Sequence, residues 1–212
     1  MRMWLKLVTW AVAIVGVVAL ALYLFVFDVW TVPGDDPLES ASIEPTLSAG
    51  DVLLLSRHTS VSRANLLRCA DPQAPGRFVI ARAIGAPGES LELRDEVVTI
   101  DGKRLPSPRA CDGTPTVLIR DPQTNDDVNL NCAVEDYGDR DFWALRAIDH
   151  VEAPTKAVVE AGRWYLVSDD RHLHLDSRDF GQIDPATCLH VVFRLESQAG
   201  FGDAKKRLAI IW

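Results

Sequence analysis

Residues 7–27, LVTWAVAIVGVVALALYLFVF, form the sequence feature that most constrains the fold. The run contains 19 apolar residues in 21 and no charged residue. As a helix it would span roughly 31 Å, which matches a bilayer core of about 30 Å. Residues 25–30 lack a small-residue cleavage pattern, so we predict an uncleaved membrane anchor. Arg2 and Lys6 precede the run and acidic residues follow it, which predicts a cytoplasmic N-terminus.

The remainder of the chain is acidic. Residues 28–212 carry 20 Lys and Arg against 30 Asp and Glu, a net charge of −10 within a chain of net charge −8. Such a domain would repel a polyanion, so we predict no nucleic-acid partner. The anchor makes the lipid bilayer a predicted partner, and no sequence pattern specifies an oligomeric state.

Short apolar or β-branched runs separated by turns predict a mainly β ectodomain built of antiparallel sheets. The predicted strands are 52–55, 77–85, 90–93, 97–100, 103–105, 116–119, 163–167 and 189–195. Asp101-Gly102 lies between two of these runs and predicts a type I′ hairpin turn, because both central residues of that turn need positive φ. No long amphipathic helix is predicted after the anchor.

The same pattern predicts the domain organisation. We expect a cytoplasmic tail at 1–6, the anchor at 7–27, a linker at 28–37, a β core at 38–105 and 161–212, and an inserted β lobe at 106–160. The C-terminal segment 201–212 combines three cations with an apolar tail. It is compatible either with contact at the membrane interface or with a terminal strand packed on the core.

The four cysteines all follow the anchor, and none forms a C-x-x-C pair. In an oxidising compartment an even number predicts disulfides, and Cys111 with Cys132 is the favoured pair because both lie in one turn-rich stretch. The alternative is that Cys69, Cys111, Cys132 and Cys188 are four free buried thiols.

Three segments concentrate polar chemistry. We call them the serine box, 40–51 (SASIEPTLSAGD), the strand box, 78–89 (FVIARAIGAPGE), and the loop box, 168–181 (SDDRHLHLDSRDFG). The serine box predicts a rigid, exposed loop near the membrane, in which one hydroxyl can attack a substrate and another can donate a hydrogen bond.

Together, in this order behind an anchor, the three boxes resemble those of bacterial type I signal peptidases, the membrane-anchored Ser-Lys proteases. The boxes are similar to S-x-S-M-x-P-T-L-x-x-G-D, K-R-x-x-G-x-P-G-D and G-D-N-R-x-x-S-x-D-S-R-x-x-G. The resemblance implies a β-rich ectodomain and removal of signal peptides from exported preproteins, with small residues preferred before the cut. It also implies a single-pass protein of the bacterial cytoplasmic (inner) membrane, with its catalytic domain outside the cytoplasm.

The resemblance also implies residue roles. Ser42 matches the nucleophile, and Ser40 matches the serine whose hydroxyl forms the oxyanion hole with the Ser42 backbone N–H. Ile43 replaces the usual Met in the wall of a substrate pocket. The charged positions that match the family are expected to form ion pairs that brace the site: Arg82, Asp169, Asp176 and Arg178.

Two departures from the family concern the base. The lysine position is Ala81, and the serine that contacts the lysine amine is replaced by His174. Because imidazole can accept a proton at neutral pH, we hypothesise that His174 replaces the lysine in a Ser42–His174 dyad. Asp169, Asp170 and Asp176 are the candidates for orienting His174, and the sequence does not choose among them.

Two alternatives remain open. If His174 does not act as the base, the chain is either a pseudoprotease that still binds signal peptides or partner proteins, or an engineered Lys-to-Ala form that traps an inactive enzyme. His172 and His174 alternate on an extended segment, but no further ligand set accompanies them. We therefore predict no metal site and no cofactor.

Overall fold

The computed structural model describes residues 2–58, 60–111, 115–138, 140–148, 153–203 and 206–211. Its helices are α1 (Arg2–Phe25), α2 (Pro37–Ser42) and α3 (Ser177–Phe180). Its strands are β1 (Phe27–Thr31), β2 (Val52–Ser56), β3 (Leu66–Ala70), β4 (Phe78–Gly85), β5 (Ser90–Arg94), β6 (Val97–Ile100), β7 (Lys103–Arg104), β8 (Arg109–Ala110), β9 (Thr116–Arg120), β10 (Asp127–Asp136), β11 (Asp141–Ala147), β12 (Thr155–Val158), β13 (Tyr165–Val167), β14 (Cys188–Glu196) and β15 (Ala209–Ile210).

Helix α1 contains residues 7–25 of the predicted anchor and also residues 2–6 of the predicted tail, whereas Phe27 belongs to β1. Its Lys6–Tyr23 portion has a mean hydropathy of 2.0 and is entirely exposed, and it is long enough to cross a membrane. The helix ends at Phe25 and β1 begins at Phe27. Residues 28–31, which we predicted as part of a linker, are therefore a strand, because they pair with β2 along its whole length.

The central sheet has seven strands in the order β1-β2-β14-β3-β4-β13, with β15 paired to β14. Every pairing in it is antiparallel. The pairing of β15 places the C-terminal segment on the core, as one of its two predicted alternatives expected. Strand β13 pairs only with the 82–85 end of β4, so residues 78–81 have a described strand neighbour on the β3 side alone. We call residues 78–81 the open half of β4.

Two four-stranded antiparallel sheets complete the body, in the orders β12-β5-β6-β7 and β11-β10-β8 with β9 beside β10. Asp101 and Gly102 have φ of +48° and +73° between β6 and β7, which confirms the predicted hairpin turn. Strand β12 lies within the predicted insertion, yet it pairs with β5 of the core.

The body contains two disulfides, which use all four cysteines. Cys111 is joined to Cys132, the favoured pair, and Cys69 is joined to Cys188. The second bridge links β3 to β14 at residues that lie directly opposite each other. The alternative of four free thiols is therefore wrong in this structure.

Candidate active site

The serine box begins as a short helix and not as an exposed loop. Asp36 caps α2 by accepting a hydrogen bond from the Glu39 backbone N–H at 3.2 Å, and Pro37 occupies the first turn. Ser42 is the last residue of α2 and is fully buried. Its hydroxyl donates to the carbonyl oxygen of Glu39 at 2.8 Å. The expected exposure of Ser42 is wrong, because the cap and Pro37 start a helix that packs against the sheet.

Ser40 and Ile43 lie on either side of Ser42 in different surroundings. The Ser40 hydroxyl donates to the Pro37 carbonyl oxygen at 3.1 Å, and its side chain is half-buried. Ile43 is fully buried in an apolar cluster of the central sheet that includes Leu53 and Leu66. Ser40 thus borders a surface groove, whereas Ile43 belongs to the core.

The three boxes meet at the carboxylate of Asp169. Arg82 of β4 donates two hydrogen bonds to it, from Nε to Oδ1 at 2.7 Å and from an Nη to Oδ2 at 2.9 Å. Thr46 of the serine box donates its hydroxyl to Oδ2 at 2.5 Å. The Arg82 and Asp169 side chains are both almost completely buried. Because two hydrogen bonds join them, the ion pair is bidentate and its geometry is fixed. It joins β4, the serine box and the loop box in one network.

A backbone contact brings the loop box directly to the serine box. The Asp170 N–H donates to the Ser42 carbonyl oxygen at 2.9 Å. Asp170 is fully buried, and burial raises the pKa of its carboxyl from 3.8 to about 7. Its Oδ1 accepts the backbone N–H groups of His172 and Leu173, so the loop folds around this carboxyl group.

Asp176 organises the second half of the loop box. Its carboxylate accepts two hydrogen bonds from the Arg178 guanidinium, at 3.0 and 2.8 Å, and one from the Ser168 backbone N–H at 2.8 Å. Burial opposes ionisation, but Arg178 outweighs it and lowers the pKa of Asp176 to about 2. Asp176 also caps α3 in a reciprocal capping box with Asp179. The expected ion pairs, Arg82–Asp169 and Arg178–Asp176, are both present.

Ala81 lies on the open half of β4 and is fully buried. It belongs to an apolar cluster with Leu67 and Leu166, and Leu175 of the loop box packs against that cluster. Leu175 directly follows His174, and Ala81 occupies the position that holds lysine in the resembled family. The two residues therefore share one apolar cluster.

His174 is held by a carboxylate that the sequence did not single out. Its Nδ1 lies 2.9 Å from Oδ2 of Asp179, which also accepts the Asp176 backbone N–H. In the described hydrogen bonds, none of the proposed orienting residues, Asp169, Asp170 or Asp176, contacts the ring. The sequence does contain one indication of this role. Asp179 lies three residues after the helix cap Asp176, and a side chain at that position turns back toward the cap.

Ser42 and His174 are not joined by any hydrogen bond among the described residues. The Ser42 hydroxyl is bound to Glu39 and the His174 Nδ1 to Asp179, while no partner is described for His174 Nε2. A ring whose Nδ1 hydrogen is directed to a carboxylate presents Nε2 as a proton acceptor.

The loop box offers one arrangement of metal-binding atom types. One ligand atom each from His174, Asp176 and Asp179 lies within 4.8 Å of the others. The Asp176 oxygens, however, already accept the Arg178 guanidinium and backbone N–H groups. These contacts leave this carboxylate poorly suited to a cation, and we assign the cluster to hydrogen bonding.

The fold and site define a mainly antiparallel β protein with an apolar N-terminal helix, in which a serine-bearing helix, a central strand and an acidic loop converge. The chain belongs to the signal peptidase family S26: the family model described as signal peptidase, peptidase S26, matches residues 3–193.

Two relatives from Bacillus agree with this membership. Signal peptidase I V of Bacillus subtilis (strain 168) is 24% identical over 162 residues, which cover 74% of this chain and 82% of that protein. Signal peptidase I of Bacillus licheniformis is 25% identical over 185 residues, which cover 84% of this chain and 82% of that protein. A crystal structure of a signal peptidase I from Enterococcus faecalis V583 aligns with a TM-score of 0.39 and 23% identity, over 63% of this chain and 97% of that one.

Proposed function

We propose that this chain is a membrane-anchored serine endopeptidase that removes signal peptides from exported preproteins in the bacterial cytoplasmic membrane. The N-terminus is in the cytoplasm and the β body is outside it. Ser42 is the nucleophile, and His174 is the general base in place of lysine. The observation that carries the proposal is the His174–Asp179 pair, with Nδ1 and Oδ2 2.9 Å apart, in a loop whose Asp170 backbone binds Ser42.

The proposed chemistry uses groups present in the chain. Rotation of the Ser42 side chain releases its hydroxyl from the Glu39 carbonyl, and the proton passes to His174 Nε2 as Oγ attacks the scissile carbonyl carbon. His174 then gives that proton to the leaving amine as the peptide C–N bond breaks. Water hydrolyses the acyl-enzyme with His174 again acting as the base. The Ser40 hydroxyl and the Ser42 N–H stabilise the oxyanion.

Asp179 has a positioning role in this mechanism. It fixes the ring orientation and stabilises the imidazolium that forms when Ser42 is deprotonated. Hydrogen bonds within a catalytic site often tighten only when substrate is bound, so separate partners for Ser42 and His174 are compatible with the dyad. The open half of β4 offers backbone groups to an extended substrate, and α2 packs against the same strand.

Cleavage of a purified preprotein by the full chain in detergent tests the proposal. We expect His174→Ala to lower the rate at least about 100-fold. His172→Ala is the matched control, because His172 is also half-buried in the same loop but contacts Glu96. Asp179→Asn should lower kcat more than it raises KM. Unchanged cleavage by His174→Ala would contradict the assignment of the base.

A second candidate is an inactive homologue that binds signal peptides or partner proteins. The observations that favour it are the complete burial of the Ser42 hydroxyl and the absence of an amine at Ala81. It predicts peptide binding without cleavage and no effect of His174→Ala on that binding. Restoration of cleavage by Ala81→Lys alone, with His174 dispensable, would identify an enzyme disabled by loss of its lysine.

A further inference from the structure

A groove of about 520 Å³ lies between the segment after β1, helix α2 and the start of β4. Its lining residues include the aromatic Trp30 and Phe78, the acidic Asp35, Asp36 and Glu39, and the basic Arg77. The groove adjoins the proposed site, because Glu39 is also the residue whose carbonyl oxygen accepts the Ser42 hydroxyl.

The Glu39 carboxyl group is the unusual feature of the groove. The residue is only 3% exposed, yet its Oε1 has no hydrogen-bond partner among the described residues. Its backbone N–H is already used by the Asp36 cap and its carbonyl oxygen by Ser42. A buried carboxyl oxygen without a partner is costly, so this atom is suited to a ligand that supplies a donor.

The charges around Glu39 favour a cationic donor. Burial is the main cause that raises its pKa to about 7, repulsion from Asp35 and Asp71 adds to it, and Arg68 acts in the opposite direction. Arg68 is ion-paired with Asp28 at 3.2 Å and stacked over the Phe78 ring at 4.2 Å. Asp36 is ion-paired with Arg77. Both nearby arginines therefore have carboxylate partners other than Glu39.

We propose that the groove binds a lysine or arginine side chain of the peptide that the chain cuts, with the cation on Glu39 and the aliphatic stem against Trp30 and Phe78. This inference rests on the proposed function, because its ligand is the substrate of Ser42. An extended peptide along the open half of β4 directs every second side chain to the same face, so one residue near the scissile bond can enter the groove. Glu39 is then a specificity-determining residue.

Peptide binding tests this inference separately from cleavage. The protein is the full chain in detergent micelles, carrying Ser42→Ala so that no peptide is cut. The probes are fluorescent peptides of one signal-peptide sequence, in which a single lysine is moved along the residues before the cut. Each has a matched partner with norleucine, which keeps the stem and removes the charge. We expect one lysine peptide to bind about 10-fold more tightly than its norleucine partner.

Variants assign the preference to Glu39. Glu39→Gln should abolish the lysine-to-norleucine ratio, whereas Glu44→Gln should preserve it. Glu44 is the matched control, because burial also raises the pKa of its half-buried carboxyl, but it lines a different groove. In the parent protein the ratio should grow from about pH 6 to about pH 8, as Glu39 becomes ionised and attracts a cation.

Equal affinity of the lysine and norleucine peptides at every position would overturn the inference, as would a lysine preference that survives Glu39→Gln. Thermal unfolding by circular dichroism confirms that both variants fold, and the pH dependence in the parent needs no variant. A chain that cuts preproteins without a lysine preference would refute only the inference. A lysine preference in a chain that cuts nothing would refute only the proposed protease activity.

Discussion

The buried carboxyl group of Asp170 should make the free energy of unfolding depend on pH. Its carboxyl group is fully buried, Oδ1 accepts two backbone N–H groups at 2.9 and 2.8 Å, and Oδ2 has no partner among the described residues. Burial, the largest influence, raises its pKa from 3.8 to about 7. We expect the substitution Asp170→Asn to change how the free energy of unfolding depends on pH.

The magnitude follows from the pKa difference. A shift of about 3 units corresponds to about 4 kcal/mol at about 1.4 kcal/mol per unit. Below about pH 4 the group is protonated in both the folded and the unfolded state. Between about pH 4 and pH 7 only the unfolded state releases the proton, so the free energy of unfolding falls as pH rises and this contribution is lost above about pH 7.

Asparagine has nearly the same shape and keeps a carbonyl oxygen for the two backbone donors, but it cannot ionise. The stability of Asp170→Asn relative to the parent should therefore increase by up to about 4 kcal/mol from pH 4 to pH 8. Urea unfolding of the full chain in detergent, followed by tryptophan fluorescence across this range, measures the difference. Glu39 contributes a slope of the same sign to both proteins and cancels in the comparison.

Asp126→Asn is the matched control, because it makes the same chemical substitution at an exposed position outside the loop box. Parallel pH profiles for Asp170→Asn and the parent would refute the reasoning. They would show that Asp170 has the same pKa in the folded and unfolded states.

Two further predictions concern what holds the body together. Asp169→Asn should lower the free energy of unfolding by about 3 to 5 kcal/mol, because it removes the negative charge that is paired with the buried Arg82. Adding Arg82→Met should recover part of this loss, and additive losses in urea unfolding would contradict the coupling. Replacing Cys111 and Cys132 by alanine should cost about 3 kcal/mol, and replacing Cys69 and Cys188 about 5 kcal/mol, because their sequence separations are 21 and 119 residues. Equal unfolding midpoints for the two double variants would contradict this order.

The sequence predicted the elements whose signal is local. All eight predicted strand segments overlap strands of the structure, because each is a short apolar or β-branched run bounded by turn residues. Strand β1 was missed because its sequence, FDVWT, directly continues the apolar run and contains an acidic residue. Its strand character comes from pairing with β2, which is separated from it by the whole serine box.

In the candidate site, too, the sequence indicated residues with a local motif but not those whose role depends on tertiary contacts. The motifs placed Ser42, Arg82 and Asp169 in boxes that the structure brings together, but the burial of Ser42 follows from the packing of α2. Asp179 and Glu39 were not singled out, because their importance depends on contacts across a folded loop and on a groove. Sequence spacing identifies residue types that can react, whereas the partner of each group is set by tertiary structure.

The junction between α1 and β1 has a consequence for how the β body is held relative to the apolar helix. A single residue, Val26, separates the helix from the strand, and its carbonyl oxygen accepts the Arg57 backbone N–H at 2.9 Å. His58 Nε2 lies 2.6 Å from the carbonyl oxygen of Phe25, the last helical residue. The chain thus passes from the apolar helix to the β body without a flexible linker. With α1 in a bilayer, this short connection would hold the β body, and Ser42 with it, at a fixed height above the lipid.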